Sequence, residues 1–139
     1  MTFCRQTRLF SLVVCSFVVV IFGCGSGESA SSATGTPSAK EALTDVANML
    51  NHFKSENKPP PARMADIQPV EPLFQGAYLG LVRDEIVYVW GAQINPSATD
   101  KVLAYEKAVE AGSGWVLMQD GSLKTMQASE FQTAPKATK

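Results

Sequence analysis

Residues 114–131 read GWVLMQDGSLKTMQASEF. Two runs, Trp115–Gln119 and Ser122–Met126, flank the dipeptide Asp120-Gly121. Asp-Gly between such runs is the strongest local signal for a β-hairpin, because a type I′ turn needs positive φ at both central residues. A two-residue loop sets the expected pairing. Gln119 faces Ser122, Met118 faces Leu123, Leu117 faces Lys124, Val116 faces Thr125 and Trp115 faces Met126. One face then carries Met118, Leu123, Val116 and Thr125, ready for a covering helix. The other carries Trp115, Met126, Leu117 and Lys124. Residues 128–131 read as a closing turn, with Phe131 plugging the sheet.

Outward from this hairpin, Ile86–Trp90 is β-branched and aromatic and follows a turn at Arg83-Asp84-Glu85. Its near-continuous apolarity predicts a central strand covered on both faces. Val102–Tyr105 reads as another strand, and 106–114 as a loop with room for one helical turn. Upstream, Ser38-Ala39-Lys40-Glu41 fits a capping box. Leu43, Val46, Ala47, Leu50 and Phe53 then recur at helical spacing. The helix should stop near Glu56 or Asn57, because Pro59, Pro60 and Pro61 cannot continue it. The triplet favours an extended spacer. Residues 62–67 suit a short helical turn, and Pro69 and Pro72 predict irregular chain up to Gly76. The tail 133–139 is expected to fray. The predicted fold class is α+β: one amphipathic helix on a small, mainly antiparallel sheet that ends in the Asp-Gly hairpin.

The segments LVRDEIVYVWG, VLAYEK and GWVLMQDGSLKTMQASEF together resemble the C-terminal head of pilin-like secreted bacterial proteins. Those heads close with a hairpin of the type V-L-F-x-D-G-H-V followed by an x-x-E-F element. Val116, Leu117, Asp120, Gly121, Leu123, Glu130 and Phe131 occupy the matching positions, with Ser122 where the family has His. The resemblance spans 38–132 loosely and 82–131 best. It implies a pilin-like head without filament assembly, since the prepilin cleavage pattern Gly-Phe-Thr-x-x-x-Glu is missing.

The first residues, MTFCRQTR, carry Arg5 and Arg8 and no acid, and 9–22 is almost wholly apolar. Basic, then apolar, then small is the layout of a secretory signal peptide. The apolar run is shorter than the roughly 20 residues of a membrane span. Ile21-Phe22-Gly23-Cys24 resembles the bacterial lipobox, which implies a diacylglyceryl thioether on Cys24. The expected organisation is therefore a lipoprotein signal peptide over 1–23, a lipidated cysteine and flexible linker over 24–37, the α+β domain over 38–132, and the tail. The linker GSGESASSATGTP holds nothing able to anchor a core. Gly25, rather than Asp, after the cysteine favours the outer membrane by the enteric sorting pattern.

The three cysteines are Cys4, Cys15 and Cys24, so no thiol survives in the mature domain for a disulfide, a nucleophile or zinc. Loss of Arg5 and Arg8 leaves 10 basic and 13 acidic side chains, a formal charge of −3. That balance argues against nucleic acid as a partner. No Gly-x-Ser-x-Gly elbow, phosphate loop or His-Glu-x-x-His motif occurs. His52 is the single histidine, on the helix beside its apolar stripe. Neither catalysis nor any cofactor or metal is expected. The expected role is a lipid-anchored, exported envelope protein with a non-catalytic structural or interaction function. The domain would sit in the periplasm or at the cell surface, with an envelope or secretion-system protein as partner. The competing reading is a carbohydrate- or peptide-binding module, in which Trp90, Trp115 and Tyr105 would stack on the ligand.

Overall fold

The computed structural model describes residues 37–139, so the signal peptide, Cys24 and the linker as far as Thr36 lie outside the described residues. The described chain is α+β. Helix α1 (Ala39–Ser55) opens on the expected capping box: the Ser38 hydroxyl accepts from the Glu41 N–H, and the Glu41 carboxylate accepts from the Ser38 N–H at 2.8 Å. The helix ends in a Schellman motif. Asn57 takes φ +55°, its N–H reaches the Lys54 carbonyl, and the Lys58 N–H reaches that of Phe53 at 2.9 Å. The prolines then carry the chain away, and Pro61 is fully buried.

After α1 come a one-turn helix α2 (Met64–Ile67), a 3-10 segment over Gln68–Leu73, and helix α3 (Gln75–Val82). The 3-10 segment replaces the irregular chain expected there. Helix α3 has no counterpart in the sequence reading. It is apolar all round and no side chain of its own caps it, so neither periodicity nor a capping signal marks it. Its partner makes it legible. Asp45 on α1 accepts the Gly76 N–H at 3.0 Å. A Cβ on Gly76 would meet that carboxylate at 2.5 Å, and one on Gly80 would meet Ile86 at 2.8 Å and Ala42 at 3.3 Å. Two glycines four residues apart thus let α3 seat directly on α1, with the helices antiparallel.

Strands β1 (Ile86–Tyr88), β2 (Val102–Glu106), β3 (Ser113–Met118) and β4 (Leu123–Gln127) form one antiparallel sheet in the order β1-β2-β3-β4. β1 is therefore a three-residue edge strand, not the central strand expected from its apolarity. The apolarity has another cause: Ile86 and Tyr88 are buried under α1 and α3. The chain then leaves the sheet in a turn at Gly91, φ +85°, whose N–H is held by the Pro61 carbonyl at 2.9 Å.

The hairpin is correct in kind and wrong in register. Leu117 pairs with Leu123, Val116 with Lys124, Trp115 with Thr125 and Gly114 with Met126. Each is one residue out from the expected pairing, so the two faces exchange along β3. The turn is not type I′. Gly121 has φ +93° while Asp120 stays at negative φ. The Gly121 N–H donates to the Met118 carbonyl, and the Met118 N–H to that of Ser122. This is a three-residue loop with a left-handed glycine bulge. The cause is tertiary. Gln119 gives its N–H to Lys101 at 2.7 Å and its carbonyl to the Asn95 N–H at 2.8 Å, which leaves it unable to pair with Ser122. Asp120 instead accepts from the Ser122 N–H and hydroxyl.

Two cores result. Under α1 lie Leu43, Val46, Leu50 and Phe53 with Tyr88, Leu103 and Leu117. On the opposite face Val102, Val116, Met118 and Met126 pack with Val109 of a 3-10 turn (Lys107–Glu110) and with Phe131 of helix α4 (Ala128–Thr133). α4 replaces the closing turn, and Phe131 does plug the sheet. The tail does not fray. The Val102 N–H reaches the Pro135 carbonyl and the Ala137 N–H reaches that of Val102, both at 2.8 Å, so Lys136 forms a parallel bridge with β2.

The glycine bulge carries a prediction. Gly121→Val should destabilise the domain by about 2 kcal/mol, because a β-branched residue is strained at this φ. Asp120→Asn should change stability by less than about 0.5 kcal/mol, since an amide oxygen still accepts from Ser122. Chemical denaturation of both variants checks this; equal losses would refute the turn assignment.

Candidate functional site

The three aromatic side chains proposed for ligand stacking do not converge. Trp115 sits on the α1 face of β3, half-buried, with Lys40 Nζ 4.9 Å above its ring. The Trp115 backbone N–H donates to Glu106 Oε2 at 2.9 Å. Trp90 follows β1 at the other end of the sheet, half-buried, and meets Tyr88 edge-on at 5.2 Å. The register separates them: Glu106, which holds Trp115, pairs with Ile86, whereas Trp90 lies two residues beyond Tyr88. Tyr105 belongs to the opposite face. Its ring lies 4.6 Å from that of Phe131, and its hydroxyl donates to Glu110 Oε1 at 2.8 Å. Each ring thus already has a protein partner on its own patch.

The described residues contain no group of three or more His, Cys, Asp or Glu able to hold a metal ion. His52 packs against Phe74 and Phe53 at centroid distances of 5.5 and 6.5 Å, with Nε2 3.4 Å from Glu56. It therefore serves as a helix-surface packing group. Asp120 lies at the hairpin tip, where the Ser122 hydroxyl and N–H hold its carboxyl below the usual carboxylate range.

Two hollows remain. One, about 300 Å³, lies between the start of α1 and the β1–β2 end of the sheet, lined by Pro37, Ala39, Ile86, Glu106 and Lys107 among others. The second, about 480 Å³, runs between Phe53 at the end of α1 and the proline segment, with Pro59, Pro61, Pro69 and Val70 along its walls. Neither contains Trp90, Trp115 or Tyr105. Sequence reasoning passed over both: the walls of the first come from segments far apart in the chain, and those of the second from residues 53–70 folding back on themselves. No helix among the described residues is long and apolar enough to cross a membrane.

Comparison with protein-family models, with curated proteins and with solved structures found no match to this chain.

The Tyr105 hydroxyl gives a pH-dependent signature. Burial first, then the hydrogen bond to Glu110, push its pKa from 10.0 up to about 12. The folded state thus favours the neutral phenol, and the unfolded chain ionises first. The associated stability is complete below pH 10 and is lost as pH rises through about 12. Tyr105→Phe should cost about 1 kcal/mol at pH 8 through the lost hydrogen bond. Its deficit against the unmodified chain should shrink between pH 10 and 12. Urea midpoints across that range measure it, and a constant deficit would contradict the assigned coupling.

Proposed function

We propose that this chain is an exported envelope lipoprotein, held to a bacterial membrane by a lipid on Cys24, whose folded head has a structural or interaction role rather than a catalytic one. The observation that carries the reading is the order of residues 5–37. Basic residues lead into an apolar run, which ends on Ile21-Phe22-Gly23-Cys24 and passes into a polar small-residue linker. Helix α1 of the head opens on the Ser38 capping box, directly after the stretch this reading assigns to the tether. The head's helix-on-antiparallel-sheet architecture is compatible with the pilin-like resemblance of residues 82–131, and an envelope or secretion-system protein is the partner that resemblance suggests. The outer membrane is the favoured destination, from Gly25.

A sugar- or peptide-binding role for Trp90, Trp115 and Tyr105 is the weaker reading, because the three rings are spread over both faces and both ends of the sheet. The decisive experiment concerns the anchor. Cells fed a clickable fatty acid should label the unmodified protein, and Cys24→Ala should abolish the label altogether while leaving an unlipidated or poorly processed chain. Equal labelling of the two would sink the lipoprotein reading.

A further inference from the structure

We infer that α3 is the surface through which the head lies on its own bilayer; this rests on the lipid-anchor reading of Cys24. From Pro72 to Val82 the chain holds no charged residue. Gly76, Ala77 and Gly80 are buried toward α1. The outward positions follow at helical spacing: Gln75 and Val82 are exposed and Leu79 is half-buried, while Tyr78 and Leu81 pack against the core. Leu73 and Val82, at the two ends of this stretch, are 67% and 55% exposed, and they are the exposed large apolar side chains of the described residues. An apolar helix with no polar face belongs against another apolar phase.

Two further observations select the bilayer as that phase. The first is position. Gly76 lies against Asp45 and Gly80 against Ala42, so α3 runs antiparallel to α1 and Val82 ends beside the start of α1. That is where the tether enters: Pro37 and Ala39 share a hollow with Glu85 and Ile86, which follow α3 closely in sequence. Residues 25–37 are 13 in number, and a Gly/Ser-rich tether of that length would span roughly 20 Å root-mean-square. A head of about 100 residues is roughly 30 Å across, so such a tether keeps it in continual contact with the surface.

The second is area. Eight helical residues cover on the order of 100–200 Å² on one face, far below the roughly 800 Å² per partner of a stable soluble interface. So small a patch cannot capture a freely diffusing partner, which must give up its translational freedom. A head already confined by its lipid has given up most of that freedom, and a few apolar side chains then suffice to orient it. The formal charge of −3 outside the signal peptide rules against attraction to anionic lipid, so the contact is apolar insertion at the headgroup boundary.

Cys4 and Cys15 precede the cleavage site, and lipidation would consume the Cys24 thiol. Nitroxide labels on the mature protein would therefore report only from introduced cysteines. Leu73→Cys, Val82→Cys and, as a control, Ser129→Cys are labelled separately in the mature lipidated protein, which begins at Cys24, in phosphatidylcholine vesicles. Ser129 is exposed on α4, which covers the opposite sheet face. The ratio of oxygen to aqueous-chelate collisions should be on the order of tenfold higher at 73 and 82 than at 129. Adding Leu73→Glu to the Val82-labelled protein should lower that ratio severalfold. Three aqueous labels would overturn the inference while leaving the anchor intact. Labels at 73 and 82 shielded from both reagents, with dipolar broadening between molecules, would assign the face to a second copy and overturn it too. If mass spectrometry shows no lipid on Cys24, the anchor reading fails. The inference is then decided on the chain from residue 25, attached through an N-terminal histidine tag to chelator lipid: buried labels support α3 docking, aqueous labels refute it.

Discussion

Phe53→Ala should lower the unfolding free energy of the head by about 3 kcal/mol, read as a shift of the urea midpoint at unchanged slope. Phe53 occupies the last inward position of α1, is 7% exposed, and packs in the core shared with Leu50, Tyr88 and Leu103. Truncating a buried phenylalanine removes its transfer energy and leaves a void, which together cost about 3–5 kcal/mol. The low end applies here for a structural reason. One side of the ring lines the 480 Å³ hollow beside Pro59–Pro61, so water can enter the space vacated. Leu43, by contrast, is fully buried in the middle of the same core. Leu43→Ala should therefore cost at least as much, although leucine is the smaller side chain. A Phe53→Ala midpoint indistinguishable from the original would show that α1 is an arm lying on the sheet and not part of its core.

Deleting residues 134–139 should be as costly, about 3 kcal/mol. Three losses add up, each about 1 kcal/mol. Val102 loses its hydrogen bonds to Pro135 and Ala137. Its side chain, fully buried, gains water on one side. Lys136 is lost from above the Phe131 ring, where its Nζ lies 3.6 Å from the centroid and donates to the Phe131 and Ala134 carbonyls. That ammonium is partly desolvated, and burial lowers its pKa, so its replacement by a neutral side chain is the milder perturbation. Lys136→Met should cost less than the deletion, because the backbone bridge survives. Thermal melts of the two variants separate bridge from side chain. A deletion that melts with the full chain would return residues 134–139 to the status of a loose tail.

How far the fold could be read ahead of the structure depended on where each element's determinants lie. Helix α1 was legible from end to end, because its determinants are local: the Ser38–Glu41 box, a 3.6-residue stripe, and prolines beyond Asn57. The existence of β2, β3, β4 and of the hairpin was legible for the same reason, since β-branched and aromatic runs flank Asp-Gly. Of the candidate site, Cys24 is a purely local signal outside the described residues, whereas the grouping of Trp90, Trp115 and Tyr105 could not be judged from composition. Which face each ring joins depends on register.

Everything that rests on contact between distant segments was decided by the tertiary structure. Helix α3 is an example: its glycines look like breakers until Asp45 and Ala42 of α1 occupy the space a side chain would need. The position of β1 at the sheet edge is another, because an apolar run buried by a helix reads like one buried between strands. The hairpin register turned on Gln119, whose backbone groups are taken by Lys101 and Asn95 of a loop about twenty residues earlier. The tail's order turned on the free backbone groups of Val102, more than thirty residues away. Local propensity sets which elements the chain can form, because the groups involved are neighbours in any conformation. Register, edge position and the anchoring of polar tails depend on unpaired backbone donors and acceptors that come within reach only once the chain has folded.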